Sequence, residues 1–173
     1  AWGLMPGIGR VVHVESYFSF RPSRPTDGRP GLSATDHLLD ILPHPTYLLG
    51  HFLSGEGGSE LELEHLFADE SGEVRALFRG GDASGLVVTT LTGRPVESFV
   101  RVVGSRGTLS VDYVRGIVVR SLEAGTLGKI VNPYAEAWTR LVGTTASLGR
   151  RFLKRERYYP GLTEAFGALY GAV

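Results

Sequence analysis

The chain has 173 residues, enough for one domain with a full hydrophobic core and too few for two. Its 42% apolar and 21% charged residues are those of a soluble globular protein, and 18 basic against 18 acidic side chains leave no net charge. That balance speaks against nucleic acid as a partner, and the lack of cysteine excludes disulfides, thiolate metal sites and Cys nucleophiles. No apolar run approaches the ~20 residues that cross a bilayer, so no membrane partner is expected. Without cysteines or a signal-peptide pattern, the cytoplasm is the expected location. A first residue other than Met, and a last helix still apolar where the chain stops, suggest a piece of a longer protein.

Arg10 to Phe20 is rich in β-branched and aromatic residues and reads as a strand, with His13, Glu15 and Tyr17 on one face and Val12, Val14 and Phe18 on the other. Preceding it, Gly7-Ile8-Gly9 resembles the start of a dinucleotide fingerprint. It lacks the third glycine, has Val12 in that place, and leads into a strand rather than a helix. Arg21 to Gly31 is a proline-broken loop.

A leucine-rich helix is predicted from Ser33 to Leu53. Ser33 is its N-cap, with Asp36 three residues on as a variant capping box. Pro43 and Pro45 leave the carbonyls of Leu39 and Ile41 without helical partners, so the helix should kink or restart beside His44. Asp40 and His44 are one turn apart on a common face. A carboxylate beside an imidazole can fix its tautomer for proton transfer, and the surrounding leucines suggest that the pair is buried. A satisfied buried pair without chemistry is the plain alternative. His37, Asp40, His44 and His51 also share roughly one face, but the prolines break that face and the spacing is no closed metal set, so no metal site is assigned.

From Ser59 the period becomes two, with Leu61, Leu63, His65 and Phe67 expected on one face. Strands follow near Glu73–Arg79, Leu86–Thr92, Glu97–Val103, Thr108–Tyr113 and Ile117–Leu122, joined by short glycine-bearing links that imply an antiparallel meander. Asn132-Pro133 reads as a helix start, and Tyr134, Ala137, Trp138, Leu141, Leu148 and Phe152 as its apolar stripe. Arg150, Arg151, Lys154, Arg155 and Arg157 fit a solvated face of that helix. A second helix after Tyr158-Tyr-Pro-Gly161 has Leu162, Ala165, Phe166, Leu169, Tyr170 and Val173 on one face.

The order of these features resembles a known group. Gly7-Ile-Gly-Arg-Val-Val12 opens a strand, and a helix with Leu39-Asp-x-x-x-His44 follows. Then comes a meander containing Val103-Gly-Ser-Arg-Gly-Thr-Leu-Ser-Val-Asp112, and then terminal helices. Together they are similar to the C-terminal, substrate-binding domain of the Gfo/Idh/MocA family of NAD(P)-dependent oxidoreductases, over nearly the whole chain. The resemblance implies a single α+β domain, residues 1–173, with an open, mostly antiparallel sheet of about seven strands packed on helices. That is the dihydrodipicolinate-reductase-like C-terminal fold, with the Rossmann domain absent from this chain.

It further implies that Asp40 and His44 are the catalytic Asp and His, working beside a lysine of the missing domain on a hydroxyl of a sugar, cyclitol or sugar-nucleotide-type substrate. NAD or NADP would be bound by that missing domain and not by this chain, which should be inactive alone. Tyr47 stands where the family often has an acidic residue. His13, Tyr17 and Tyr158 are further candidates for substrate contacts. Apolar residues on both faces of several strands, such as Val87 and Leu91 against Leu86 and Val88, predict a homodimer through the sheet's open face. The alternative is a cofactor-free ligand-binding or interaction module.

Overall fold

A computed structural model describes residues 7–22, 32–53, 60–123 and 126–154. The elements are β1 (Val11–Ser19), α1 (Ala34–Ile41), α2 (Pro43–Leu53), β2 (Leu61–Asp69), β3 (Glu73–Gly80), β4 (Ala83–Thr90), β5 (Ser98–Gly104), β6 (Gly107–Asp112), β7 (Ile117–Leu122) and α3 (Thr126–Lys154). Tyr158 and the expected helix at 162–173 lie outside the described residues.

The seven strands form one mixed sheet in the order β2-β3-β4-β1-β5-β6-β7. It is antiparallel except where β1 runs parallel to β4. The α+β class and strand number match the expectation, but the meander is not continuous. β1 separates it into two three-stranded halves, and β4 and β5 flank β1 instead of pairing. The short Leu91–Glu97 connection is held across the end of β1 by Ser19, whose N–H donates to the Glu97 carbonyl at 2.7 Å and whose Oγ accepts from the Glu97 N–H at 2.6 Å.

Gly7-Ile8-Gly9 is a backbone clasp. Ile8 is buried, its carbonyl accepts from the Arg106 N–H at 2.9 Å, and Gly9 takes a left-handed φ of 78°. A Cβ at Gly104 would lie 2.2 Å from the Ile8 carbonyl oxygen, so the glycine admits this crossing.

The covered face of the sheet holds the core: Val14, Val87, Val100, Val102, Ala76 and Leu109, with Leu49 and Leu53 of α2 packed on them. Gly85 of β4 lies directly under α2, where a Cβ would come 2.6 Å from Leu53 Cδ1 and 2.7 Å from Leu49 Cδ1. Ala83-Ser84-Gly85 has little strand propensity, and this close seating explains why β4 begins three residues before the predicted Leu86.

Two other expectations are corrected. The pairing of β2 with β3 shifts between Leu63 and His65, a bulge-like irregularity that puts Leu61 and Leu63 on the covered face and His65 and Phe67 on the open one. In addition, α3 begins at Thr126 and carries Pro133 inside it. Asn132 is therefore a tether and not a cap, its Nδ2 donating to the Leu122 carbonyl at 3.0 Å.

The capping box at α1 is present. The Asp36 N–H donates to Ser33 Oγ at 3.1 Å and the Ser33 N–H to Asp36 Oδ2 at 3.0 Å. Hydrogen bonds from the Ser33 side chain, then its backbone, hold the Asp36 carboxyl below the ordinary aspartate value. A depressed carboxylate stabilises the fold above its unfolded pKa of ~3.9, and loses that contribution as pH falls through the lower folded value. Ser33→Ala should cost about 1 kcal/mol at neutral pH. The deficit should shrink in strong acid, as read from urea midpoints at several pH values.

Candidate active site

One apolar stripe runs through both short helices. Leu38 and Ile41 of α1 are buried with Val74 and Leu91, and Pro45, Leu49 and Leu53 of α2 continue the line. The helix restarts at Pro43, as the two prolines predict, yet helical hydrogen bonding continues across the break. Leu42 stays in the helical region, its N–H donating to the Leu38 carbonyl at 2.8 Å while its own carbonyl accepts from the Thr46 N–H at 3.2 Å.

Asp40 and His44 therefore fall on the opposite, outward side, and both are exposed. This corrects the expectation of a buried pair. Leu39 beside Asp40 is itself 64% exposed, so the leucine-rich composition did not signal burial. No hydrogen bond joins the Asp40 and His44 side chains. Tyr47 and His51 extend the same row one turn at a time, and their rings stack at 6.5 Å. His37 sits half-buried, its ring 6.5 Å from Phe20. Among the described residues no three of His, Asp and Glu are gathered as cation ligands, so His37, Asp40, His44 and His51 are a row and not a cage.

His13 and Tyr17 stand on the other face of the sheet. His13 Nδ1 is 2.8 Å from Ser84 Oγ, and the Tyr17 ring stacks on Phe99 at 5.4 Å. The sheet thus separates them from Asp40 and His44, and a single small ligand cannot touch both pairs in one copy. Tyr158 lies outside the described residues.

A feature that sequence reading missed is a trough on the open face where α3 leans over β5 and β6. Its two adjoining parts have volumes of about 170 Å³ and 260 Å³, and Arg101, Ser110 and Arg140 line both. The hydrogen bond that Arg115 donates to Asp112, then the charge of that carboxylate, raises the Arg115 pKa, and Glu136 accepts from the Ser121 hydroxyl. No local pattern announces this trough, because it depends on the register of residues far apart in sequence.

The Gly7-Ile8-Gly9 clasp does not fit a nicotinamide cofactor. Its central carbonyl is occupied, its side chain is core, and a strand follows where a pyrophosphate would need a helix N-terminus.

No family model and no curated protein matches the chain. Solved structures do. Levoglucosan dehydrogenase, in complex with NADH and L-sorbose, is 17% identical over 69% of this chain and 38% of its own, with a TM-score of 0.51. An oxidoreductase from Pseudomonas syringae is 20% identical over 68% of this chain and 33% of its own, with a TM-score of 0.49. An inositol dehydrogenase homologue from Azotobacter vinelandii, solved with NAD+, is 19% identical over 68% and 35%, with a TM-score of 0.49. The chain spans 38% of the levoglucosan dehydrogenase and about a third of the other two. These neighbours are Gfo/Idh/MocA-type oxidoreductases, and the chain has the fold of their α+β domain. Among the described residues no helix is long and apolar enough to cross a membrane.

Proposed function

We propose that the chain is the substrate-side and dimerisation domain of an NAD(P)-dependent oxidoreductase acting on a hydroxyl of a sugar, cyclitol or sugar-nucleotide-type molecule. The observation that carries this reading is the outward row of Asp40, His44, Tyr47 and His51, set on helices whose other side is fastened to the sheet. Such a row is half a site. It is rigidly mounted, polar and exposed, and a second domain would complete it. Bound by that other domain, the nicotinamide would accept hydride from the alcohol carbon. His44 would take the hydroxyl proton, and Asp40, one turn away, would favour the imidazolium so formed.

The levoglucosan dehydrogenase in the comparison was solved with NADH and L-sorbose, which supports a sugar-like substrate class. The reading is tested by incubating the full-length protein with NAD+ or NADP+ and a panel of hexoses, cyclitols and nucleotide sugars, following nicotinamide absorbance. Turnover with one class supports it. Binding of a sugar acid to residues 1–173 alone, with no cofactor reduced by the full-length protein, would favour the cofactor-free module. The trough around Arg101 and Arg140 would be its natural seat.

The open face supplies the dimerisation part of the proposal. Tyr17, Leu77, Leu86, Val88 and Phe99 share it, and among the described residues only α3, at one end, lies over it. The protein should sediment as a dimer at tens of micromolar, about the range in which such interfaces are assayed. A strict monomer there would refute the dimer.

A further inference from the structure

Helix α3 turns its polar side to the sheet and its apolar side outward. Asn132 bonds to Leu122, Glu136 accepts from Ser121, Gly143 sits against Ile117, and Ser147 is buried. These positions recur at helical spacing, and the three partners all belong to β7, so one face of α3 is fastened along that strand. The opposite face carries Ile130, Tyr134, Trp138, Leu141, Leu148 and Phe152, between 58% and 86% exposed. They form one stripe along a helix of 29 residues, about 43 Å long. Its borders, Ala135, Ala137, Thr144 and Gly149, bear no charge. An exposed apolar surface of this length marks a contact site.

The chain as a whole carries no net charge, but α3 does. Its sequence holds Lys129, Arg140, Arg150, Arg151 and Lys154 against a single acidic residue, Glu136. Glu136 is on the sheet side, engaged with Ser121, so no carboxylate of α3 lies beside the stripe. Arg140 and Arg150 are exposed, and among the described residues neither has a carboxylate partner. The positive charge of a neutral protein is thus gathered on the element that bears its longest bare apolar surface.

We propose that α3 seats this domain on the surface of an anionic lipid bilayer, lying flat with its stripe among the headgroups and upper acyl chains. Crossing a bilayer takes ~20 apolar residues in a row, which the chain lacks, whereas lying on one takes only an apolar face backed by a polar one. Such a helix sinks its apolar face about 5–10 Å. Tyr134 and Trp138 supply the amphipathic rings that settle at headgroup depth. A cation anywhere on a helix about 10 Å across lies within roughly one Debye length of the surface beneath it, so the basic residues attract anionic headgroups. A partner helix fits less well. Paired helices fix their register with charged residues along the borders of the seam, and here those borders are alanine, threonine and glycine. A fluid lipid surface needs no register. This role is separate from hydride transfer and from the dimer, and it leaves the Asp40–His44 row on the opposite face of the sheet.

Trp138 is one of two tryptophans, so Trp2→Phe leaves it as the sole indole reporter. With vesicles of phosphatidylcholine and phosphatidylglycerol in equal parts, this chain should cosediment with the lipid and its emission should move to the blue. Binding to phosphatidylcholine alone should be about tenfold weaker, and binding to the mixed vesicles should fall several-fold in ~1 M salt, where the Debye length shrinks to about 3 Å. Leu141→Glu should lower binding by about tenfold or more with circular dichroism unchanged, since Leu141 is 61% exposed, and Leu141→Phe should bind as wild type does. No cosedimentation with the mixed vesicles would overturn the proposal, and binding that survives Leu141→Glu would place the lipid contact elsewhere. Equal binding to neutral and anionic vesicles would remove the charge complementarity on which it rests. Wild-type protein that ignores lipid, but passes from dimer to monomer on Leu141→Glu, would assign the stripe to a second copy instead.

Discussion

On the proposed function, His44→Ala in the full-length protein should lower kcat by about 10²–10⁴-fold, the range for removing a general acid or base. The reason is positional. His44 is on the outward side of a helix whose inner side, Pro45 and Leu49, is buried, so the imidazole is presented from a rigid mount. Truncating an exposed side chain should leave the fold intact, with stability changed by no more than roughly 0.5 kcal/mol. A fall in kcat with an unchanged unfolding midpoint separates the chemical role from a structural one. Asp40→Asn should have a smaller effect, because Asp40 makes no hydrogen bond to His44 and would act by stabilising the imidazolium. Turnover unaltered in His44→Ala would remove the residue from the mechanism.

The second large effect is on stability. Leu49 is 1% exposed and packs with Val14, Val87 and Val100 beneath α2. Leu49→Ala should cost about 2–5 kcal/mol, a large part of the stability of a domain this size. Gly85→Ala, whose new Cβ would collide with Leu49 and Leu53, should cost about 1–3 kcal/mol by overpacking. The two changes occupy the same space, so the double variant should be less destabilised than the sum, because the methyl fills part of the cavity. Strict additivity in urea unfolding would mean that α2 does not sit on Gly85 as described.

The local signals in the sequence were physical and held where local physics governs. β-branched alternation placed β1, β3, β5, β6 and β7 to within a residue or two, and Ile117–Leu122 matched β7 end for end. The Ser33–Asp36 box and the restart at Pro43 also follow from short-range hydrogen bonding.

What failed depended on distant partners. Nothing near β1 says that it inserts between β4 and β5, because that pairing is made with residues about seventy to ninety positions away. The irregularity in β2 falls where the alternation of Leu61 to Glu64 gives way to His65-Leu66-Phe67, so period two extended through it carried Phe67 to the wrong face. Pro133 was read as a start because proline costs least there, but contacts with β7 hold the helix through it. The apolar stripe of α3 was legible, whereas its direction was not: a stripe shows that something is covered and not which element covers it.

At the candidate site, the motif spacing put Asp40 and His44 on one face correctly, and the leucines around them gave the wrong burial. The stripe Leu38, Ile41, Pro45, Leu49 and Leu53 faces the sheet, and the Asp–His row is what remains outside.

The proposed function is a division of labour in which this domain would present the proton-transfer groups while the nicotinamide is held elsewhere. Calorimetric titration of NADH and NADPH into residues 1–173, and into the full-length polypeptide, tests it most directly. The expected result is no heat of binding to residues 1–173 and saturable binding to the full-length protein. Micromolar affinity of either cofactor for residues 1–173 would contradict the account.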